Sequence, residues 1–363
     1  MRKWLVVLFL AAFAAPGRAA EYPTSDRGFY GLLRGRDLTP FGYLRLDMRP
    51  GFSSPGEPGT WSIETDFAYQ NTWATSPEVE KYLNKLPGRR ELGPAELQAI
   101  RELPGENYLV DLELAQIDVT LNYQITDRWS AYLITSGAKF GGGFMDGFIE
   151  GFHRVTDNPK FGRPAAARND YNVLFDLKGS EYAAFEAPGS GGLLDPVIGF
   201  RYTRTTDDDR WRMSVESAVK VPLADRQGAL STGNTDIGMQ VSVQRFSGRH
   251  AVYLNMAAVY YAGMSSFVQE PARVLPTLVA GYERRITPRT NLIFQGYLSR
   301  SVFQREQTDL SELRGTKIQL SGGFHHRRGP HLLTFALTEN IGNINNTPDI
   351  GLQMGYSFSP GWR

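Results

Sequence analysis

Trp61-Ser-Ile-Glu-Thr-Asp-Phe-Ala-Tyr-Gln-Asn-Thr-Trp73 is the stretch that decides the architecture. Trp61, Ile63, Thr65, Phe67, Tyr69 and Trp73 share one phase; Ser62, Glu64, Asp66, Ala68, Gln70 and Thr72 share the other. Successive side chains of a strand point to opposite faces, so the pattern predicts one apolar and one polar face. Length is the second clue. A globular strand averages about 5–6 residues, whereas one that crosses a bilayer at a tilt needs about 9–11. This stretch is long enough to cross, and its tryptophans stand at both ends, where an interfacial aromatic girdle belongs.

Working outward, the same grammar recurs. Residues 74–107 form a charged, Pro-bounded insertion with helix-like pieces at Pro77–Leu86 and Pro94–Leu103. Tyr108–Tyr123 returns as a strand whose apolar phase slips between Leu114 and Ala115, which predicts a bulge. A tight turn at Ile125–Arg128 leads into Trp129–Phe140. After a second insertion at 141–195, hairpins follow: Pro196–Arg204 with Trp211–Leu223, Thr235–Arg245 with Ala251–Gly263, and Arg273–Arg285 with Asn291–Val302. Thr316–His325 pairs with His331–Asn340, and Asp349–Phe358 comes last. Short turns alternate with long connections, the asymmetry of outer-membrane barrels. The predicted fold is all-β: a transmembrane antiparallel up-and-down β-barrel of about 12 strands, spanning 59–363, with a short helix in an outer loop. Tyr171–Leu177 and Phe41–Met48 raise the count to 14 if both are strands. The competing architecture is a secreted soluble β-sandwich or barrel, whose half-buried strands also alternate.

The N-terminus and the composition agree with export. Arg2 and Lys3 precede an apolar run, Trp4–Ala15, and a small-x-small site at Gly17-Arg18-Ala19, so residues 1–19 read as a signal peptide. The expected destination is the cell outer membrane by the Sec route. Residues 20–58, rich in Gly, Pro and Arg, form an N-terminal segment that either lies at the periplasmic rim or plugs the lumen. The chain has no cysteine, which rules out disulfides and thiolate chemistry. Its 39 Lys and Arg against 38 Asp and Glu, with no basic block, argue against nucleic acid as a partner.

Two places can carry chemistry. Gly141-Gly-Gly-Phe-Met-Asp-Gly-Phe-Ile-Glu-Gly-Phe-His153 is helix-like, and Asp146, Glu150 and His153 share one edge opposite Met145, Phe148, Ile149 and Phe152. A carboxylate beside an imidazole can orient a general base. The plainer alternative is an amphipathic loop helix whose aromatic face packs on the barrel. Strand counting puts this helix at the outer mouth, as a gate or lid. His250, His325, His326 and His331 fall at the short turns, so only His153 is placed for outer-leaflet lipid chemistry, with no His-x-Ser pattern beside it. The second place is the lumen, where Glu64, Asp66, Arg212, Glu216, Lys220 and Lys317 occupy polar phases. Both signs inside a barrel give a wet pathway or pair across a closed interior. No cofactor or metal is indicated.

Gly142-Gly-Phe-Met-Asp146, Ile149, Phe152-His153 and Arg163, with Asn122-Tyr-Gln-Ile-Thr-Asp-Arg128 and Thr338-Glu-Asn-Ile-Gly-Asn343 plus Asp349, resemble a bacterial family known as domain of unknown function 3187. The resemblance implies an outer-membrane-like β protein of Gram-negative bacteria. It brings no activity and no catalytic residues. The function expected is passive passage or binding of a small or amphiphilic solute. The alternatives are an outer-leaflet lipid-modifying hydrolase using His153, and a structural or adhesive surface barrel. Expected partners are outer-membrane lipids, an unidentified small solute, and the barrel assembly machinery, through the last strand ending at Phe358.

Overall fold

The computed structural model describes residues 28–39, 42–50, 56–156, 161–178, 183–184, 191–223, 230–262, 272–340 and 346–360. The side chains of 152, 153, 155, 156, 183 and 184 are outside that description, as is the signal-peptide region 1–19. The strands are β1 (Trp61–Thr75), β2 (Asn107–Gln124), β3 (Trp129–Gly141), β4 (Asn172–Asp176), β5 (Ala183–Ala184), β6 (Gly192–Thr205) and β7 (Trp211–Lys220). They continue as β8 (Asp236–Ser247), β9 (His250–Tyr260), β10 (Val274–Arg285), β11 (Thr290–Ser299), β12 (Lys317–Arg328), β13 (His331–Asn340) and β14 (Ile350–Phe358). Each pairs antiparallel with its sequence neighbour in the wall, and β1 pairs with both β14 and β2. That double pairing closes a ring of twelve and leaves no free edge. β4 and β5 stand outside the ring: β4 pairs with the top of β2, at Asn107–Asp111, above the end of β3. Residues 42–48 are not a strand.

The turns explain why one end is short. Thr126 accepts hydrogen bonds at its hydroxyl from the Arg128 and Trp129 amides (3.3 and 3.0 Å), and Thr287 does the same for Arg289 and Thr290 (3.2 and 3.0 Å). A threonine hydroxyl that mimics a backbone acceptor closes such turns locally. At Gly248 and Gly329 the left-handed backbone (φ 56° and 59°) closes two-residue hairpins that other residues would strain.

Outward residues of the wall form an apolar belt, with Leu121, Leu133, Phe200, Met213, Val241, Leu254, Met256 and Leu337 all exposed. Below it, at the short-turn end, lies an aromatic ring. Trp61 stacks near Tyr123 (4.5 Å), Trp129 near Tyr202 (5.1 Å) and His331 near Tyr356 (6.0 Å). Trp73 departs from the girdle expected of it. It is only 4% exposed, packed with Val79, Leu83, Leu92, Ile100 and Leu174. Helices α1 (Pro77–Leu83) and α2 (Pro94–Arg101), each begun by a proline whose missing N–H costs nothing there, supply this cover.

The bulge expected at Leu114–Ala115 is absent; β2 runs in register against both β1 and β3. What changes there is the environment. Below residue 115, Gln116, Asp118 and Thr120 face inward and Ile117 and Leu121 face out; above it, Tyr108, Val110, Leu112 and Leu114 face an inner apolar cluster. Asp111 and Glu113 then occupy the outer face, beneath the insertions. A swap of polarity at constant register looks like a slip in the sequence. A register irregularity does occur in β3, between Ile134 and Ser136.

Candidate functional site: the lumen and its occupant

Residues 28–39 run up the lumen and residues 42–50 run back down it. Gly28 lies at the short-turn end, where its carbonyl accepts from Asn291 Nδ2 (2.8 Å) and Arg285 Nε (3.2 Å). The Tyr30 and Gly31 amides donate to the Glu283 carboxylate (3.0 Å each), and Gly31 O contacts His325 Nε2 (2.9 Å). Gln295 holds both backbone groups of Leu33, accepting from its N–H (2.8 Å) and donating to its C=O (3.2 Å). Leu38, Tyr43 and Leu44 reach the apolar cluster at the long-loop end. On the descent, Leu46 N donates to Asp236 (2.9 Å), Lys220 Nζ donates to Leu44 O (2.7 Å), and Gln240 donates to Arg49 O. None of these is a strand ladder. The segment's backbone groups are satisfied by wall side chains, as buried backbone must be.

Charge pairs fasten it further. Arg34 and Arg36 both bind Asp118; Asp37 binds Lys317, with Arg45 3.9 Å away; Arg49 pairs with Glu64. Two pairs belong to the wall itself: Arg201 with Glu216, whose other oxygen accepts from Tyr132 OH (2.6 Å), and Lys220 with Asp236 (2.9 Å). The wall also has room for the segment. A Cβ on Gly281 would lie 2.3 Å from Leu32, and one on Gly238 would lie 2.4 Å from Met48. Two cavities adjoin the segment. One, about 110 Å³, sits at the short-turn end among Arg34, Arg49, Glu64, Asp66, Arg201 and His325; the other, about 60 Å³, lies higher, beside Arg36, Asp37 and Lys220.

The six residues nominated for the lumen all lie on inward phases. Glu64 and Asp66 line the larger cavity. Arg212, Glu216, Lys220 and Lys317 are buried, and Arg212 lies over the Phe246 ring (5.8 Å). Asp118, Asp236 and Glu283, which carry much of the binding to the segment, were missed. Their signal was available, because each is a lone acid on the polar phase of its strand. The alternating arginines 34, 36, 45 and 49 were the matching half.

The Gly141–His153 stretch sits elsewhere. Its helix, α3, spans Asp146–Thr156, and its N-terminal end is fastened to Asn71 and Glu113, on the outward phases of β1 and β2. Phe144 stacks on outward-facing Tyr69 (4.9 Å), and the Phe144 and Met145 amides donate to Glu113 (2.9 and 2.7 Å). The glycines permit this approach: a Cβ on Gly142 would lie 2.0 Å from Asn169 O, and Gly143 has φ 64°. The expected packing is met only in part: Met145 and Ile149 of the apolar side are buried, but the acidic edge is not left in solvent. Asp146 is buried and accepts from Arg163 (2.8 Å) and the Asn169 amide (2.8 Å), whereas Phe148 is 63% exposed. Arg163 continues to Asp349 and lies over Trp73 (5.2 Å). Glu150 accepts from Arg89 (2.5 Å) and Arg168 (2.6 Å). Burial would raise its carboxyl, but the hydrogen bonds from the two guanidinium groups outweigh this and hold it below the usual range. Both acids are thus engaged by arginines. The His153 side chain is outside the described residues. Among those described, no three His, Asp or Glu side chains group as metal ligands do.

The architecture has solved counterparts. The COG4313 outer membrane channel from Pseudomonas putida F1 superposes with a TM-score of 0.52 at 13% identity, over 86% of this chain and 99% of that one. The CymD monoaromatic hydrocarbon channel (TM-score 0.38, 12% identity, 84% and 89% covered) and the NanC porin (0.42, 8%, 83% and 100%) superpose more loosely. At these identities the likeness is one of fold, that of outer-membrane channel barrels. No curated protein matches the sequence. The sequence model described as Protein of unknown function (DUF3187) matches residues 104–359, from the end of the first insertion through the last strand, and the chain belongs to that family.

Proposed function

We propose that this barrel is an outer-membrane channel for a small or amphiphilic solute, closed by its own residues 28–50. The observation that carries the reading is the manner of attachment. The ring of twelve strands is hydrogen bonded to itself, and the luminal segment contributes no strand to it. Removing the segment therefore leaves the wall's ladder intact while emptying the lumen. A twelve-stranded ring lies between the filled eight-stranded and the aqueous sixteen-stranded barrels, so an emptied lumen of this size is a conduit for small molecules. The outer membrane channel from Pseudomonas putida F1, whose barrel superposes with a TM-score of 0.52, suits this reading. In the upper lumen Leu38, Tyr43 and Leu44 of the segment share an apolar cluster with Tyr108, Leu112, Phe140, Phe175 and Phe303, so withdrawing the segment would open an apolar passage above the charged middle.

Liposome swelling tests the reading. Vesicles containing the chain without residues 28–50 are expected to swell rapidly in small neutral solutes, and vesicles with the full chain slowly. Equal rates, with both barrels folded, would remove the proposal. The hydrolase alternative gains nothing from the geometry, since Asp146 and Glu150 are committed to arginines.

A further inference from the structure

We propose that the short-turn rim beneath β8–β13 is a binding surface for anionic phospholipid headgroups. The sequence has no Asp or Glu in residues 237–262, 284–305 or 313–338, and Glu283 is buried and faces the lumen. Over the same six adjacent strands the short-turn ends carry Arg245, Arg249, His250, Arg284, Arg289, His326, Arg327, Arg328 and His331. The pattern is local. The β2–β3 turn, on the opposite side of the ring, carries Asp127 paired with Arg128 (3.5 Å), and the β6–β7 turn, where the rim passes β8, carries Asp207, Asp208 and Asp209, with Arg210 paired to Asp208 (3.7 Å).

Placement distinguishes a lipid from a protein partner. Arg245, His250, Arg284, His326, Arg328 and His331 stand on the outward phase of the strand ends, directly below the apolar belt. His250 faces Arg284 across β9–β10, and Arg328 faces His331 across β12–β13. At each pair the arginine supplies the positive charge, and the imidazole facing it adds a ring nitrogen that can hydrogen bond the same headgroup. Aromatic neighbours fix the depth. His250 contacts Tyr282 OH (2.6 Å), His331 contacts Tyr356 OH (2.9 Å), and Arg245 lies over the Trp211 ring (5.2 Å). Girdle aromatics sit at the level of the headgroups, so these cations meet lipid phosphate rather than the water beyond it.

The inference rests on the membrane placement in the proposed function, but not on the lumen conducting. A failed channel experiment leaves it standing, and its own failure leaves the channel standing. The full chain in neutral detergent, mixed with phosphatidylglycerol or phosphatidylcholine, is examined by native mass spectrometry. Phosphatidylglycerol is expected to be retained at least about fivefold over phosphatidylcholine, and the R245Q/R284Q/R328Q variant to bring that ratio towards one. The R128Q variant, on the opposite side of the rim, is expected to leave it unchanged. Should the triple variant fail to fold, the wild-type ratio in about 0.5 M salt decides, because salt screens exposed charges. Equal retention of the two lipids, an equal drop in the opposite-side control, or a ratio insensitive to salt would each overturn the proposal. So would an acidic peptide displacing all bound lipid.

Discussion

The luminal segment and the outer flap carrying α3 are both held by buried arginine or lysine pairs with carboxylates, but they are joined to the wall differently. The flap is built in. β4 extends the sheet beside β2, and Trp73, Leu109, Ala165 and Leu174 share one apolar cluster across wall and insertions. The luminal segment has no ladder to the wall. It is held by side chains, at Asp118, Lys317, Gln295, Glu283 and Asp236, with Phe29, Leu32 and Leu33 packed on Phe246, Tyr253 and Tyr297. Similar ion pairs therefore fasten a part laddered into the wall in one place and, in the other, a part without a ladder, which the proposed channel requires to be separable. Separability, more than the pairs themselves, makes the lumen the candidate site.

Substitutions that unfasten one region and spare the other put this contrast at risk. The largest effect is expected for Lys317→Met. It leaves Asp37 buried with Thr39 hydrogen bonded to it and, as cation, the more distant Arg45, and breaking such a pair costs about 3–5 kcal/mol. Channel conductance should rise, and Asp37→Asn added to it should bring the conductance back down. Arg163→Met is the counterpart on the flap. Asn71 and the Asn169 amide still serve Asp146, so the cost falls near the lower end of that range, about 3 kcal/mol. Proteolysis within 141–178 should quicken while conductance stays at the wild-type level; a conductance change would erase the distinction between the two regions.

Gly281→Val ranks next. The new Cβ meets Leu32, and overpacking of this kind costs about 1–3 kcal/mol. It should loosen the segment measurably in hydrogen exchange of residues 28–39, with the β10–β11 ladder still protected. Glu150→Gln should be the mildest, under about 1 kcal/mol, because its arginine partners are partly exposed. The Glu150 carboxyl is held below its ordinary value of 4.5, so its contribution is complete above that pH. It is lost as pH falls through the lower, folded value. Thermal melts between neutral pH and the acid range should show the variant's deficit vanishing in acid.

Much of the fold was legible in the residues because the membrane imposes a long, strict alternation. Trp211–Lys220 can be read almost residue by residue, with Trp211, Met213, Val215 and Val219 turned out and Arg212, Ser214, Glu216 and Lys220 turned in. Legibility fails where the wall rises out of the belt. There the outer face of β1 and β2 is covered by protein, so Trp73 loses its girdle role and Leu112 and Leu114 face inward. Periodicity reports only which residues share a face, and it cannot say what covers that face. The same limit misplaced α3. Its acidic edge was visible, but the arginines that turn that edge inward, Arg89, Arg163 and Arg168, come from two separate insertions. The path of residues 28–50 was hidden for a related reason. A chain satisfied by scattered wall side chains has no period of its own.

The absence of native cysteine allows one measurement to test separability directly. Leu32→Cys with Gly281→Cys is the pair chosen to join the segment to β10, where a Cβ on Gly281 would meet the Leu32 side chain. In planar bilayers the oxidised protein is expected to hold its lowest conductance, and added reductant to raise the opening frequency. An oxidised protein that conducts as freely as the reduced one would contradict the claim that residues 28–50 close the lumen.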